Sequence, residues 1–283
     1  MLSTAVLRFA PSPTGLLHLG NAYSALYSFA AARRLGGRFL LRVEDIDQSR
    51  CRPAHEAVML ADMAWLGLVW EEPVRRQSEH MADYTAALET LTALGLTYPC
   101  FCTRNEIVEE IAAAPSAPHG PDGALYPGTC RKLSQGKRQD KFTSGAAYAI
   151  RLDSGLAAAQ AGPDLQWFDR QQGAQLLQPG LHGDVVLARK DTPTSYHLAV
   201  TVDDALQGIT LVTRGADLFA ASHVHRLLQA LLGLPTPEYD HHPLLRDDAG
   251  VRLAKRHGAT SLAQWRREGH DPAQLRQSMG LGF

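Results

Sequence analysis

Apolar residues gather first at 5–10, where Ala5, Val6, Leu7, Phe9 and Ala10 surround a single Arg8. The run predicts a short buried strand, and Pro11, Pro13 and Gly15 directly after it forbid helix or ladder. From His18 to Arg34 the apolar positions Leu19, Ala22, Tyr23, Leu26, Phe29 and Ala30 recur at three and four, which is the period of a helix. Gly36 and Gly37 end that helix in the manner of a left-handed cap. A second apolar run at 38–43 predicts another strand, and Glu44, Asp45 and Asp47 follow it at once. A strand–loop–helix–strand unit of this kind belongs to a doubly wound α/β sheet, with functional loops at the carboxyl ends of its strands.

Pro53 opens a predicted helix that continues to 66, and another helix is expected over 78–94, stopped by Gly95. The texture then changes. Tyr98-Pro99-Cys100-Phe101-Cys102 introduces a region whose Ala/Pro-rich stretch at 112–121 reads as a mobile loop, and periodicity stays weak until 183–189. Residues 100–182 therefore read as an insertion between two halves, 1–99 and 183–245, of one nucleotide-binding fold. Residues 246–283 read as a basic loop and a short helical tail. Strands are expected at 196–202 and 209–213, and a helix at 216–232. No internal repeat is visible.

Composition narrows the classes. With 283 residues, of which 45% are hydrophobic, the chain can build a real core and is not disordered. Its 28 basic and 29 acidic residues give a net charge of −1, so nucleic-acid binding must come from local patches. No apolar run approaches the ~18 residues of a membrane span, and Met1 to Phe9 lacks the pattern of an export leader. A cytoplasmic protein is expected. The 4 cysteines are too few for a disulfide scaffold, but Cys100, Cys102 and Cys130 cluster in sequence and read first as a metal site.

His18-Leu19-Gly20-Asn21 stands at the start of a helix, where free backbone N–H groups and the positive dipole end suit a nucleotide triphosphate. His18 can donate to a phosphate, and Gly20 leaves room for a flat adenine. Alone, these four residues better describe an ordinary helix start with a capping histidine. Arg252-Leu253-Ala254-Lys255-Arg256-His257 forms a basic segment that can close over phosphate charge, though alone it describes a solvated charge run.

Taken in order, the segments 8–15, 18–21 and 42–47 resemble class I glutamyl-tRNA synthetases. So do Tyr196-His197-Leu198-Ala199, Val202-Asp203-Asp204, Gly208-Ile209-Thr210, Arg214-Gly215-Ala216-Asp217 and the Lys255 segment. The resemblance runs from Arg8 to His257 and is weakest between Ala112 and Trp167. Only 27 residues follow Arg256, too few for an anticodon-binding domain of ~50 residues or more. That, with Arg214 to Leu218 and the Cys-x-Cys…Tyr-x-x-x-Cys arrangement, is similar to the truncated glutamyl-queuosine tRNA(Asp) synthetase branch. The resemblance implies an α/β fold: a Rossmann-type class I catalytic domain with a zinc-containing insertion and a short helical C-terminal segment.

It also implies a tRNA-modifying ligase that activates L-glutamate with ATP, without needing tRNA for that step, and transfers it to queuosine at the wobble position of tRNA(Asp). By resemblance, Arg8, Ala10 and Ser12 line the glutamate pocket, Glu44 holds the α-ammonium, and Tyr196 and Arg214 recognise the side-chain end. His18, Gly20, Asn21 and Lys255 meet ATP, which comes with Mg²⁺, and His18 and Lys255 are the expected catalytic contacts. The pocket chemistry agrees, since free glutamate needs one carboxylate and a fork-shaped Arg. Arg252 and Ala254 depart from the family's closing motif, which has a lysine and a serine there.

Three thiolates leave a four-coordinate zinc one ligand short. Resemblance points to Tyr126, with His119 a competitor; the pairs His223/His225 and His241/His242 read as non-metal histidines. Arg131, Lys132, Lys137, Arg138 and Lys141 would attract a phosphate backbone, or form a solvated loop. The competing functions are a minimal charging enzyme for tRNA 3′ ends and a non-catalytic glutamate- or nucleotide-binding regulator. A monomer is expected.

Overall fold

The computed structural model describes residues 4–113, 119–121, 123–245 and 260–281. In chain order the elements begin β1 (Val6–Phe9), α1 (Leu19–Arg34), β2 (Arg38–Val43), α2 (Pro53–Trp65), β3 (Glu71–Arg76), α3 (Met81–Ala93), β4 (Thr97–Cys100) and α4 (Arg104–Ala113). The insertion region continues with β5 (His119–Gly120), β6 (Gly123–Ala124), α5 (Gln135–Thr143), β7 (Ala149–Leu152), α6 (Ser154–Ala161), β8 (Gln166–Asp169) and β9 (Gly173–Leu176). Then come β10 (Val186–Arg189), α7 (Tyr196–Leu206), β11 (Leu211–Gly215), α8 (Ala221–Leu231), β12 (Glu238–His242), α9 (Leu262–Arg267) and α10 (Pro272–Ser278).

Strands β1, β2 and β3 are parallel, with β2 between the other two. Strand β11 pairs in parallel with β12, which continues to β8 and the antiparallel β9. The two groups meet along β1, where Thr210 N–H donates to Val6 O at 3.0 Å and Val6 N–H donates to Thr210 Oγ1 at 2.9 Å. The order β3-β2-β1-β11-β12 reverses direction at the β1/β11 junction, the crevice where a doubly wound sheet binds ligands. A separate antiparallel sheet, β10-β7-β4, carries the insertion. Sheet membership interleaves across residue 182: β8 and β9 join the parallel sheet, while β10 belongs with β7.

The α1 periodicity and the Gly36-Gly37 turn appear as expected. Gly36 sits at φ +58°, and Gly37 lies so close to Ala5 O that a side chain would collide there, beside the Arg38 N–H bond to the same oxygen at 2.7 Å. The expected strand at 196–202 is instead the helix α7. Its Leu198 to Asp204 are all buried, so no polar stripe marks the period, and the β-branched Val200, Thr201 and Val202 mimic a strand. Ser195 supplies the overlooked start signal, its Oγ accepting from Leu198 N–H at 3.4 Å. Residues 216–232 divide into a 3₁₀ turn at Ala216–Leu218 and helix α8. Strand β3 carries Glu71, Glu72, Arg75 and Arg76 and gave no apolar signal. Of the expected loop at 112–121, residues 114–118 lie outside the described residues.

Two cores flank the parallel sheet. One joins α1, α2 and β2 and takes in Leu262 and Leu275 from the C-terminal helices and Leu281 just after them. The other joins α3, α7 and α8 through Tyr84, Leu91, Leu198, Val202 and Leu228. Between them lies a buried ionic cluster. Asp203, fully buried, accepts from Arg75 Nε at 2.7 Å, Gln77 Nε2 at 2.8 Å and Tyr84 Oη at 2.9 Å. Removing one partner of a buried pair strands the others' charge, which costs about 3–5 kcal/mol. Asp203→Ala should therefore lose about 3–5 kcal/mol of unfolding free energy in urea titrations. A loss below ~1 kcal/mol, the worth of a surface pair, would show that the cluster does not hold the two cores together.

Candidate active site

A cleft of 440 Å³ opens at the carboxyl ends of β1 and β11 and is walled by the first turn of α1. Arg8, Ala10, Ser12, Glu44, Tyr196 and Arg214 all line it, as do His18, Gly20 and Asn21. Residues as far as 206 positions apart in sequence, Arg8 and Arg214, thus converge on one hollow. Lys255, Arg252 and Ala254 lie outside the described residues. The positions flanking them do reach the cleft: Leu244 and Leu245 line it, and Ser261 bridges to His18.

His18 is the N-cap of α1. Its Nδ1 accepts from Gly20 N–H at 3.1 Å, and Asn21 Oδ1 accepts from His18 N–H at 3.1 Å. Because Nδ1 is an acceptor, a neutral His18 carries its proton on Nε2. The cap also occupies the Asn21 oxygen and leaves its amide nitrogen as the group to offer a ligand. No acidic residue stands in the first turn, so the positive end of the helix is not offset locally.

Arg8 donates from Nε and Nη2 to Asp204 at 2.8 and 3.1 Å, which leaves Nη1 without a partner among the described residues. Arg42, wholly buried, donates to Asp204 at 2.8 Å, to Gln207 at 2.9 Å and to Glu44 Oε1 at 3.2 Å. Arg8 and Arg42 hold the Asp204 carboxyl below its ordinary range against the opposing effect of burial. Glu44 goes the other way: burial raises its pKa, and Arg42 and Arg8 offset that only in part. Its second oxygen makes no bond within the described protein. The site therefore presents a carboxylate that a ligand cation would stabilise.

Arg214 is held differently, by neutral acceptors. Its Nε donates to His241 Nε2 at 3.1 Å, Nη1 to Tyr196 Oη at 3.3 Å and His225 Nδ1 at 3.2 Å, and Nη2 to Ser222 Oγ at 2.6 Å. A guanidinium only donates, so both ring nitrogens must accept. His241 then carries its proton on Nδ1, which bonds Asp169 Oδ2 at 2.6 Å, and His225 on Nε2, 3.2 Å from His197 Nδ1. With no carboxylate of the described residues bonded directly to Arg214, its positive charge stays available to an anionic ligand. At Gly215, which follows, a Cβ would meet the side-chain ends of Leu244, at 2.9 Å, and Asp217.

A second cleft of 570 Å³ adjoins the first, sharing Tyr196, and is lined by Tyr126, Arg151, His182, Arg189 and His197 among others. Behind Tyr126 the sulfur atoms of Cys100, Cys102 and Cys130 lie within 4.8 Å of one another. Tyr126 Oη lies 3.6 Å from Cys102 Sγ and accepts from Cys130 N–H at 2.9 Å. Phe101 N–H donates to Cys130 Sγ at 3.3 Å, and that thiol's pKa falls despite burial, whereas burial pushes Cys102 up to about 12. The side chain of His119 lies outside the described residues. His223, His225, His241 and His242 belong to hydrogen-bonded and aromatic networks, and no second metal-ligating cluster occurs among the described residues. Of the expected phosphate-binding residues, Arg131 is drawn to Asp184 at 3.1 Å and Arg138 to Arg131 O at 2.9 Å, while Lys132, Lys137 and Lys141 remain exposed.

Sequence reasoning gave no role to Arg42, Asp169, Ser222 or the acceptor histidines. Arg42 had one legible signal, a lone charge inside the apolar 39–43 run.

The chain matches the family described as tRNA synthetases class I (E and Q), catalytic domain, over residues 4–282. It is 49% identical over 282 residues to the glutamyl-Q tRNA(Asp) synthetase of Rhodobacter capsulatus, which covers 98% of this chain and 100% of that protein. It is 44% identical to the glutamyl-Q tRNA(Asp) synthetase of Deinococcus radiodurans, covering 96% of this chain and 86% of that one. Among solved structures it is similar to the glutamate-tRNA synthetase of Elizabethkingia anophelis, with a TM-score of 0.81 at 27% identity. That match covers 98% of this chain and 61% of the other, so the chain spans about three fifths of that synthetase.

The neutral cage around Arg214 has a pH signature. Burial and then Arg214 lower the His241 pKa to about 4, and the same causes hold His225 well below its ordinary value. Unfolded, both protonate near ~6.5. Between ~6.5 and ~4 the unfolded chain thus binds more protons than the folded one, so stability falls as pH falls through that window. The thermal midpoint should hold steady above pH ~6.5 and drop below it, with a shallower drop in His241→Asn. A midpoint unchanged from pH 7 to 4.5 would contradict the neutral cage.

Proposed function

We propose that this chain, which belongs to the class I tRNA synthetase family of the E and Q enzymes and groups there with the glutamyl-Q tRNA(Asp) synthetases, activates glutamate as the adenylate and transfers it to queuosine at the wobble position of tRNA(Asp). It is an ATP-dependent ligase acting on tRNA. The observation that carries the reading is the charge pattern of the first cleft: the buried Glu44 carboxylate set among the cations Arg8 and Arg214 beside the start of α1, with Asp217 as the second acidic residue of the wall. Free glutamate is the complement of that pattern, with one ammonium and two carboxylates.

In this reading Glu44 takes the α-ammonium, Arg214 and Tyr196 take the side-chain carboxylate, and Arg8 Nη1 faces the ligand from β1, with Ala10 and Ser12 closing the wall. ATP lies over Gly20 and Asn21, its phosphates near His18 Nε2 and Lys255, and arrives with Mg²⁺. The α-carboxylate of glutamate attacks the α-phosphorus in line, the P–O bond to pyrophosphate breaks, and the mixed anhydride forms. Catalysis is positioning and charge stabilisation. A hydroxyl of the queuosine cyclopentene ring then attacks the activated carbonyl and AMP leaves. Because Tyr196 is common to both clefts, the acceptor base enters through the second. A cytoplasmic monomer fits this substrate.

The test has two readouts. ATP–pyrophosphate exchange should proceed without tRNA. In Glu44→Gln, which keeps the Arg42 bond but loses the charge, the glutamate KM should rise about tenfold or more. Labelled glutamate should then stay on queuosine-containing tRNA(Asp) after its 3′ end is trimmed. Label on tRNA(Glu) that leaves with the 3′ end would make this a charging enzyme, and glutamate binding without exchange would make it a regulator.

The thiol cluster fits a structural zinc, with Cys100, Cys102 and Cys130 as thiolates and Tyr126 as the fourth ligand. Zinc would tie β4 to the Thr129–Lys132 turn and so brace the wall of the second cleft. Metal analysis should find one zinc per chain, and a chelator should lower the thermal midpoint. Substoichiometric metal with an unchanged midpoint would rule the ion out.

A further inference from the structure

A third hollow, of 480 Å³, lies between α3, the end of α5, β7 and the end of β10. Its floor is apolar, with Leu88, Ile150 and Ala188, and its rim carries Phe142, Tyr148, Arg189 and Lys190. Phe142 and Tyr148 are 41% and 38% exposed, although they pack edge to face on each other at 5.1 Å, and on the buried Phe101 Phe142 packs edge to face at 5.2 Å and Tyr148 tilted at 5.7 Å. The triad thus holds two rings rigidly while leaving part of each uncovered. Among the described residues no carboxylate lines the hollow, and neither Arg189 nor Lys190 forms an ion pair. Lys141 adds a third cation beside the triad, its Nζ 5.6 Å from the Phe101 ring.

Arg189 also lines the second cleft, so the two hollows are neighbours. Fixed aromatic faces flanked by unpaired cations are the chemistry that holds an unpaired base and its phosphate. An acidic peptide would match the charge but would leave the rings without a function.

We propose that this hollow seats a nucleotide next to the modified base, its ring on Tyr148 and Phe142 and its phosphate between Arg189 and Lys190. The inference rests on the reading of the second cleft as the entry for a tRNA base. It assigns to the insertion a direct hold on the single-stranded loop, which keeps the acceptor base extruded toward Tyr196.

The test measures transfer of labelled glutamate to queuosine-containing tRNA(Asp) by wild type, Tyr148→Ala, Tyr148→Phe and Lys190→Gln, with tRNA-free ATP–pyrophosphate exchange as the control for folding. Stacking of one base on an aromatic ring is worth about tenfold or more in binding. Tyr148→Ala should therefore raise the tRNA KM by about tenfold with exchange unchanged, and Tyr148→Phe should restore it. Lys190→Gln should make the salt dependence of tRNA affinity shallower by about 0.7 in log–log slope. Transfer by wild type, with the KM and salt slope unmoved in the variants, would overturn this inference alone. No transfer by wild type to any queuosine-bearing tRNA would overturn both it and the functional reading beneath it.

Discussion

The buried pairing of Arg8 and Arg42 with Asp203 and Asp204 is the constraint on which the rest of the structure depends. Removing such charges from water costs several kcal/mol for each ion, and only good geometry with further hydrogen bonds offsets it. Here each partner comes from a different element: Arg8 from β1, Arg42 from β2, Arg75 from β3, and the two aspartates from α7. The cluster is therefore satisfied only when three parallel strands and one helix stand in a single register. A register slip on β2 would turn Arg42 to the opposite face and leave both aspartates short of a cation. The same bonds aim the ligand-facing groups, because Arg8 and Glu44 are the outer members of the cluster.

Arg214 shows the complementary solution. A second set of carboxylates around it would have fixed its position but neutralised it. Ser222, Tyr196, His225 and His241 fix it with neutral acceptors, and Asp169 acts one bond further away by settling the His241 tautomer. The cation is thus oriented by the protein and left for the substrate. That arrangement requires histidines whose pKa lies far below neutrality, and burial supplies it. Stability and recognition are joined at the same residues, since whatever protonates the cage also disturbs the guanidinium.

Much of this was legible in the sequence, for identifiable reasons. The helix over α1, the strand over β2 and the glycine turn between them depend on near neighbours, which a local pattern records. The described residues expected around glutamate and ATP line one cleft, Lys255 lying outside the described residues, because ordered motifs carry long-range information that periodicity does not. Their individual roles are a matter for the substitution experiments. What escaped was set by partners distant in sequence. Arg42 and Asp204 are 162 positions apart, and Asp169 and His241 are 72 apart, so neither pairing leaves a local trace. Helix α7 was misread as a strand because burial on all sides erased the polar stripe. Strand β3 was missed because its charges have partners: Arg75 serves the cluster, Arg76 bonds Glu56 of α2, and Glu71 accepts from Arg38 of β2.

The misread helix explains how the clefts and the core are coordinated. Tyr196 and Asp203 are seven residues apart on α7, two turns along one face. The first turn of that helix supplies the wall between the two clefts and a hydrogen bond to Arg214; two turns later it supplies the anions that bind β1, β2 and β3. His197, one residue on, faces the second cleft, and its Nδ1 accepts a hydrogen bond from His225 Nε2–H. A rigid helix makes these positions move together. Shifting α7 enough to alter the substrate wall would pull Asp203 and Asp204 off three arginines, at a cost of several kcal/mol per stranded charge. The ionic cluster therefore fixes the distance between the place where an adenylate would form and the place where an acceptor would arrive. Differences in acceptor choice must then arise from the walls that α7 does not carry: the insertion sheet, its thiol cluster, and the aromatic rim beyond Arg189.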